Sequence, residues 1–126
     1  MDLKILNVSN NALPEYKTKD SSGLDLRAYL PDGPLTLQPG QRRVIPTGLY
    51  MEIEPGYEGQ VRPRSGRAVK QGLTVINSPG TIDADYRGEV GVPLINLSTE
   101  PQTIENGDRI AQIVFSDYAK AEITEV

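Results

Sequence analysis

Glycine and proline punctuate this chain so often that short elements are expected throughout. Twelve glycines and ten prolines are spread along its 126 residues as punctuation, not gathered in one linker. Between them lie short runs rich in Val, Ile, Leu and Tyr, of strand length and too short for packed helices. The pattern predicts an all-β chain with strands at Leu3–Val8, Leu24–Tyr29, Leu35–Leu37, Arg42–Ile45, Tyr50–Ile53, Tyr57–Arg62, Leu73–Asn77, Val90–Leu97, Gln102–Ile104, Arg109–Ser116 and Ala121–Thr124. Leu35-Thr36-Leu37 and Tyr57–Val61 alternate with period two, as half-buried strands do. Only Ser65–Gln71 invites a short helix, with Gly72 placed to cap its C-terminus.

With one Phe and no Trp, the core must be aliphatic, and Ile82, Val90, Val92, Leu94, Ile110, Ile113 and Val114 are its expected fillers. The length and the even composition predict one domain over residues 1–126. A small β domain with so few aromatics is expected to complete its burial by association. The chain has neither cysteine nor histidine, which removes disulfides, thiolate chemistry, histidine bases and nearly all zinc sites. Any catalysis must use carboxylates, Arg, Lys, Tyr or Ser. The formal net charge of −4 gives no general pull toward nucleic acid or anionic membrane. No run approaches a membrane span, and Met1–Val8 has no leader-like features, so a cytoplasmic protein is expected.

Four clusters carry more chemistry than structure demands. In Ser22-Gly23-Leu24-Asp25-Leu26-Arg27-Ala28, Asp25 and Arg27 face away from Leu24, Leu26 and Ala28, which reads as an ion-pair face. Arg62-Pro63-Arg64-Ser65-Gly66-Arg67 gathers cations at the start of the helical turn. Unpaired N–H groups and arginine forks there suit an anion, while the alternative is a solvated basic corner with Ser65 as a plain N-cap. The third cluster, Asn77-Ser78-Pro79 continuing through Gly80–Leu97, reads as a hairpin whose turn holds Asp83, Asp85, Tyr86 and Arg87, more than a turn needs. Asn77 offers a donor and an acceptor, as reading a nucleobase edge requires, or it closes a turn. Asp83 follows apolar Ile82 and is placed to face a pocket, whereas Asp85 is expected to pair with Arg87. In the fourth, Gly107-Asp108-Arg109-Ile110-Ala111-Gln112, Asp108 and Arg109 suit an interface salt bridge, and the Gln112 amide needs a partner that a ligand phosphate could supply.

In this order and spacing the clusters resemble four of the five motifs of the trimeric dUTPases: Ser22–Ala28, Arg62–Ala68, Gly80–Val92 and Gly107–Gln112. The resemblance covers nearly the whole chain. It implies a jelly-roll-like β-barrel, a homotrimer with active sites shared between subunits, and hydrolysis of dUTP to dUMP and pyrophosphate, which limits uracil in DNA and supplies dUMP for dTMP synthesis. By position, Asp83 resembles the carboxylate that deprotonates the attacking water. Asn77, the backbone of Gly80, Thr81 and Ile82, and the facing strand near Gly91 resemble the uracil-reading elements. Tyr86 resembles the ring under the deoxyribose, Arg64, Ser65 and Gly66 the phosphate cradle of a neighbouring subunit, and Gln112 a further phosphate contact. Mg²⁺ is implied as cofactor, carried mainly by the triphosphate, with Asp25 holding it through water and no direct protein ligand.

The family also ends in a Gly-rich arm with an Arg and a Phe, which closes over the nucleotide; nothing up to Val126 matches it. The expectation is that this arm lies outside these 126 residues, and that without it the chain binds dUTP but turns it over poorly. Arg67 stands where the family commonly has an apolar residue and could add a phosphate contact. Two other readings fit parts of the pattern: a lid-less dUTP-binding regulatory protein, and a dCTP deaminase, whose glutamate would fall near Val92-Pro93.

Overall fold

Alternation in the sequence becomes alternation in burial. From Glu89 to Asn96 every second side chain is buried, and the same holds for Leu24 and Leu26 around Asp25. The computed structural model describes all 126 residues. In chain order its elements are β1 (Leu3–Asn7), β2 (Gly23–Arg27), β3 (Leu35–Leu37), β4 (Arg42–Ile53), β5 (Tyr57–Arg62), α1 (Ser65–Gln71), β6 (Leu73–Val75), β7 (Gly80–Ile82), β8 (Glu89–Asn96), β9 (Gln102–Ile104) and β10 (Arg109–Asp117). The strands form two four-stranded antiparallel sheets, ordered β1-β4-β8-β6 and β2-β10-β5-β7, with a small β3-β9 ladder beside them. Consecutive strands often belong to different sheets, the jelly-roll-like arrangement that the resemblance implied.

The inner faces of both sheets share one aliphatic core of 18 buried residues, including Leu26, Ile45, Ile53, Leu73, Val92, Leu94 and Ile113. Of the expected fillers, Val90, Val92, Leu94, Ile110, Ile113 and Val114 are buried, while Ile82 is half-buried at the margin. One buried polar side chain stitches this core. Asn96 is fully buried; its Nδ2 donates to the Leu37 and Glu100 carbonyls at 2.9 and 2.8 Å, and its Oδ1 accepts from Ser98. Removing that amide strands two carbonyls, so Asn96→Ala is expected to cost about 2–4 kcal/mol of stability. Urea denaturation measures it, and a cost under about 0.5 kcal/mol would mean that water replaces the amide.

Three expected elements differ. Arg42–Ile45 and Tyr50–Ile53 are one strand, because Pro46 and Gly48 form a bulge inside β4 and not a break; Gly48 has φ +67° and the register shifts there. Pro46 lacks a ladder donor, and a bulge is where a sheet tolerates that. Residues 80–82 form a strand, β7, on β5. Ala121–Thr124 forms no ladder, and Ile123 is exposed.

The third cluster is also not a hairpin. β7 pairs with β5 in one sheet, and β8 pairs with β4 and β6 in the other. The turn at 83–88 is therefore a corner from sheet to sheet.

Candidate active site

Strand β10 brings three of the four clusters together. It lies between β2 and β5, and its register sets Gln112 opposite Asp25 on one side and Arg62 on the other. Because buried Leu24, Leu26, Ala111 and Ile113 take the inner face, Asp25 and Gln112 fall on the outer one. Beyond Arg62 the chain turns through Pro63 into α1. The result is a wholly polar pocket of about 300 Å³ lined by Lys17, Ser21, Ser22, Gly23, Asp25, Arg64, Ser65, Gly66 and Gln112.

An ionic arrangement fixes the pocket floor. Arg64 Nε donates to Asp25 Oδ1 at 3.0 Å, and Arg109 Nη1 stands 3.7 Å from Asp25 Oδ2. Asp25 thus pairs with Arg64 and Arg109, and not with Arg27, whose Nη1 donates to the Gly107 carbonyl at 2.9 Å. Gln112 finds its partner within the chain, donating Nε2 to the Pro63 carbonyl at 3.1 Å. Arg67 turns away from the pocket, bonding Gln71 and the Arg109 carbonyl and pairing with Asp108 at 3.2 Å. It is an internal brace, and within the chain Asp108 pairs with Arg67 while Arg109 approaches Asp25. The helix has seven residues with Arg64 at its N-cap and no side-chain cap, so Ser65 opens the first turn and caps nothing. So short a helix adds little dipole, and the cationic side chains dominate the field.

Lys17 and Ser21 were not legible as site residues. They sit in a loop pinned by the Tyr16–Leu24 bridge and by the Thr18–Ser21 hydroxyl contact at 2.6 Å. Only that tertiary bridge brings them over the pocket.

The third cluster makes a separate groove of about 610 Å³, lined by Pro55, Glu58, Asp83, Ala84, Asp85, Arg87, Tyr118, Ala119 and Lys120. The Asp83 carbonyl accepts from the Tyr86 N–H at 3.1 Å to close the turn. Arg87 Nη1 donates to the Ala84 carbonyl at 2.7 Å and to the Tyr86 carbonyl at 3.1 Å, bracing the turn through its backbone; the expected Asp85–Arg87 ion pair is absent. The carboxylates of Asp83 and Asp85 are exposed and carry no ion pair. The Tyr86 hydroxyl donates to the Glu89 carbonyl at 2.9 Å, and Glu89 Oε1 accepts from the Gly48 N–H in the β4 bulge. That chain of bonds ties the corner to the opposite sheet. Asn77 lies exposed just before the cis Ser78–Pro79 bond and against buried Gly80, and Thr81 is exposed on β7. Gly91 pairs with Pro46 of β4, so no ladder joins it to β7.

Pocket and groove share no residue. Ile82 pairs with Gly59, which puts Asp83 beside Glu58 at one end of β5, while Arg64 follows Arg62 at the other. The four steps from Glu58 to Arg62 cover about 13 Å at ~3.3 Å per residue, and Arg64 lies two residues farther on. Within one chain, Asp83 and Arg64 cannot act on the same phosphorus, which requires contacts of about 3–3.5 Å.

Nowhere do three metal-ligating side chains gather, and Asp25 is the one carboxylate in the pocket. That donor set suits a hard cation carried on a ligand's own phosphate oxygens and touched by Asp25 from outside. No helix is long and apolar enough to cross a membrane.

A family model described as dUTPase matches residues 9–126. Among curated proteins, the deoxyuridine 5'-triphosphate nucleotidohydrolase of Finegoldia magna is 54% identical over 126 residues, covering all of this chain and 87% of its own length. That of Anaeromyxobacter sp. is 60% identical, over 88% of this chain and 74% of its own. Among solved structures, a mutant dUTPase from phage phi11 of S. aureus, described with a coordinated structural Mg(II) ion, superposes with a TM-score of 0.88 at 26% identity, over 100% of this chain and 97% of that one. The dUTPase of Staphylococcus bacteriophage 80alpha gives 0.89 at 27% identity, over 99% and 96%.

Proposed function

The chain belongs to the dUTPase family, and we propose that it converts dUTP and water into dUMP and pyrophosphate in sites built between the copies of a homotrimer. The observation that carries the shared site is the placement of Asp83 and Arg64 at opposite ends of β5. A second copy that lays its pocket of cations against the corner of the first brings the two halves together.

In this reading Asn77 and the backbone of Gly80, Thr81 and Ile82 hold the uracil edge, with Gly91 behind them. The ring of Tyr86 lies under the deoxyribose and leaves no space for a 2′-hydroxyl. Asp83, unpaired and exposed, takes the proton of the water that attacks the α-phosphorus in line. From the neighbouring copy, Arg64, Ser65 and Gly66 cradle the phosphates, and Gln112 adds an amide whose position the Pro63 carbonyl sets. Arg64 and Ser65 stabilise the charge that gathers on the departing pyrophosphate. Mg²⁺, held by the triphosphate oxygens with Asp25 at its water shell, would supply further charge neutralisation when bound.

Subunit mixing tests this. Asp83→Asn and Arg64→Ala chains, each inactive alone, are refolded together at equal amounts and assayed for pyrophosphate release from dUTP. Shared sites predict recovery of about a quarter of wild-type activity, because random assembly joins an intact corner to an intact cradle in that fraction. If both residues served one chain's own site, no recovery would appear and the shared site would be excluded.

A further inference from the structure

Three glycines of the candidate site lack a side chain for a reason their backbone does not give. Gly23, Gly80 and Gly88 all lie outside the positive-φ region, unlike Gly48, Gly72 and Gly107. Their backbone would accept an L residue without strain. In each case the nearest atoms that such a Cβ would meet belong to one neighbouring side chain, and in each case that side chain is one to which a ligand contact is assigned above.

A Cβ at Gly88 would stand 2.6 Å from Cζ and 3.0 Å from Cε1 of Tyr86, and closer still to its hydroxyl. At Gly23 it would meet the amide of Gln112, 3.2 Å from Cδ and nearer to Oε1. At Gly80 it would come within 3.1 Å of Asn77 Nδ2 and 3.5 Å of Oδ1. Two of these side chains are also held from their far ends, Tyr86 by the Glu89 carbonyl and Gln112 by the Pro63 carbonyl. They cannot simply swing aside without losing that bond. Gly66, in contrast, has open space where a Cβ would go.

We propose that Gly23, Gly80 and Gly88 are positioning residues, each a floor that sets where one ligand-reading side chain lies, so that each governs a different discrimination. Gly88 governs deoxyribose against ribose through Tyr86. Gly80 governs the base through Asn77, and Gly23 governs the grip on the phosphates through Gln112. The inference rests on the roles proposed above for those three side chains.

The test is kcat/KM of each glycine-to-alanine variant, in the full chain, for dUTP, UTP and dCTP. Displacement of a positioned group by about 1 Å can cost up to ~10²-fold. Gly88→Ala is expected to lower the preference for dUTP over UTP by about tenfold or more, with the preference over dCTP changed less than about twofold. Gly80→Ala is expected to do the reverse. Gly23→Ala raises the KM for dUTP several-fold and leaves both preferences intact. In a Tyr86→Ala background, Gly88→Ala should add almost nothing, since the clash is gone. An equal loss on all substrates, or losses that add in the double variant, would overturn the inference, because a glycine needed only for folding behaves that way.

A crystal structure of Gly88→Ala separates this inference from the reading beneath it. A Tyr86 ring that has not moved refutes the floor. A displaced ring supports it, even if Tyr86→Ala proves indifferent between dUTP and UTP, in which case the role given to Tyr86 is what fails. Gly88 lies in the turn and not in a strand, so this variant carries the test if alanine at buried Gly80 prevents folding.

Discussion

Asp83→Asn is expected to lower kcat for dUTP by about 10²–10⁴-fold, the range over which a positioned general base contributes, while a non-hydrolysable dUTP analogue still binds. The substitution keeps the shape of the side chain and removes only its basicity. Asp83 is exposed and makes no ion pair, so no buried partner is stranded and stability should change by no more than about 0.5 kcal/mol. Its backbone carbonyl, which closes the turn with the Tyr86 N–H, is untouched. Rate and affinity therefore separate cleanly: pyrophosphate release measures the first, and calorimetry with the analogue measures the second. Turnover within about twofold of wild type would remove Asp83 from the chemistry. The same change at Asp85, in the same groove, should have little effect on kcat.

Arg64→Ala is expected to reduce kcat/KM by about 10²–10³-fold, as loss of one preorganised donor to a charged transition state does. Two losses combine. The guanidinium fork that would hold phosphate oxygens disappears, and Asp25 is left with Arg109 alone, 3.7 Å away. An under-neutralised carboxylate then faces the anionic ligand in a pocket of about 300 Å³. Arg64→Lys should recover only part of the loss, because an ammonium keeps the charge and lacks the planar fork. Steady-state kinetics on alanine and lysine variants, with a melting curve for each, checks this. A lysine variant equal to wild type would show that charge alone matters at position 64, and an alanine variant equal to wild type would remove Arg64 from the cradle.

The difference between Asp25 and Arg87 shows how far residue chemistry could be read before the fold was known. Sequence proximity pairs Asp25 with Arg27 and Asp85 with Arg87, and the fold forms neither pair. Asp25 pairs with Arg64, 39 residues away, and with Arg109, while Arg87 braces backbone carbonyls. Side chains two apart on a strand share a face and lie about 6.6–7 Å apart along it, too far for an ion pair without help. Partners come instead from elements the fold brings alongside, Arg64 at the N-cap of α1 and Arg109 on β10. In the same way Asp108 takes Arg67, and Gln112 takes the Pro63 carbonyl.

The sequence by itself determined the short alternating strands, the helix at Ser65–Gln71 with its left-handed cap at Gly72, the aliphatic core and the residue types available for chemistry. These follow from local rules: side-chain period, the φ that glycine permits, the donor that proline lacks, and the absence of histidine and cysteine. Only the tertiary structure decided that β7 and β8 belong to different sheets, that Pro46 and Gly48 bulge a strand without ending it, and that Asp83 and Arg64 stand at opposite ends of β5. The physical reason is that ladder register is fixed by burying both sheet faces at once, a condition on the whole chain that no local stretch encodes.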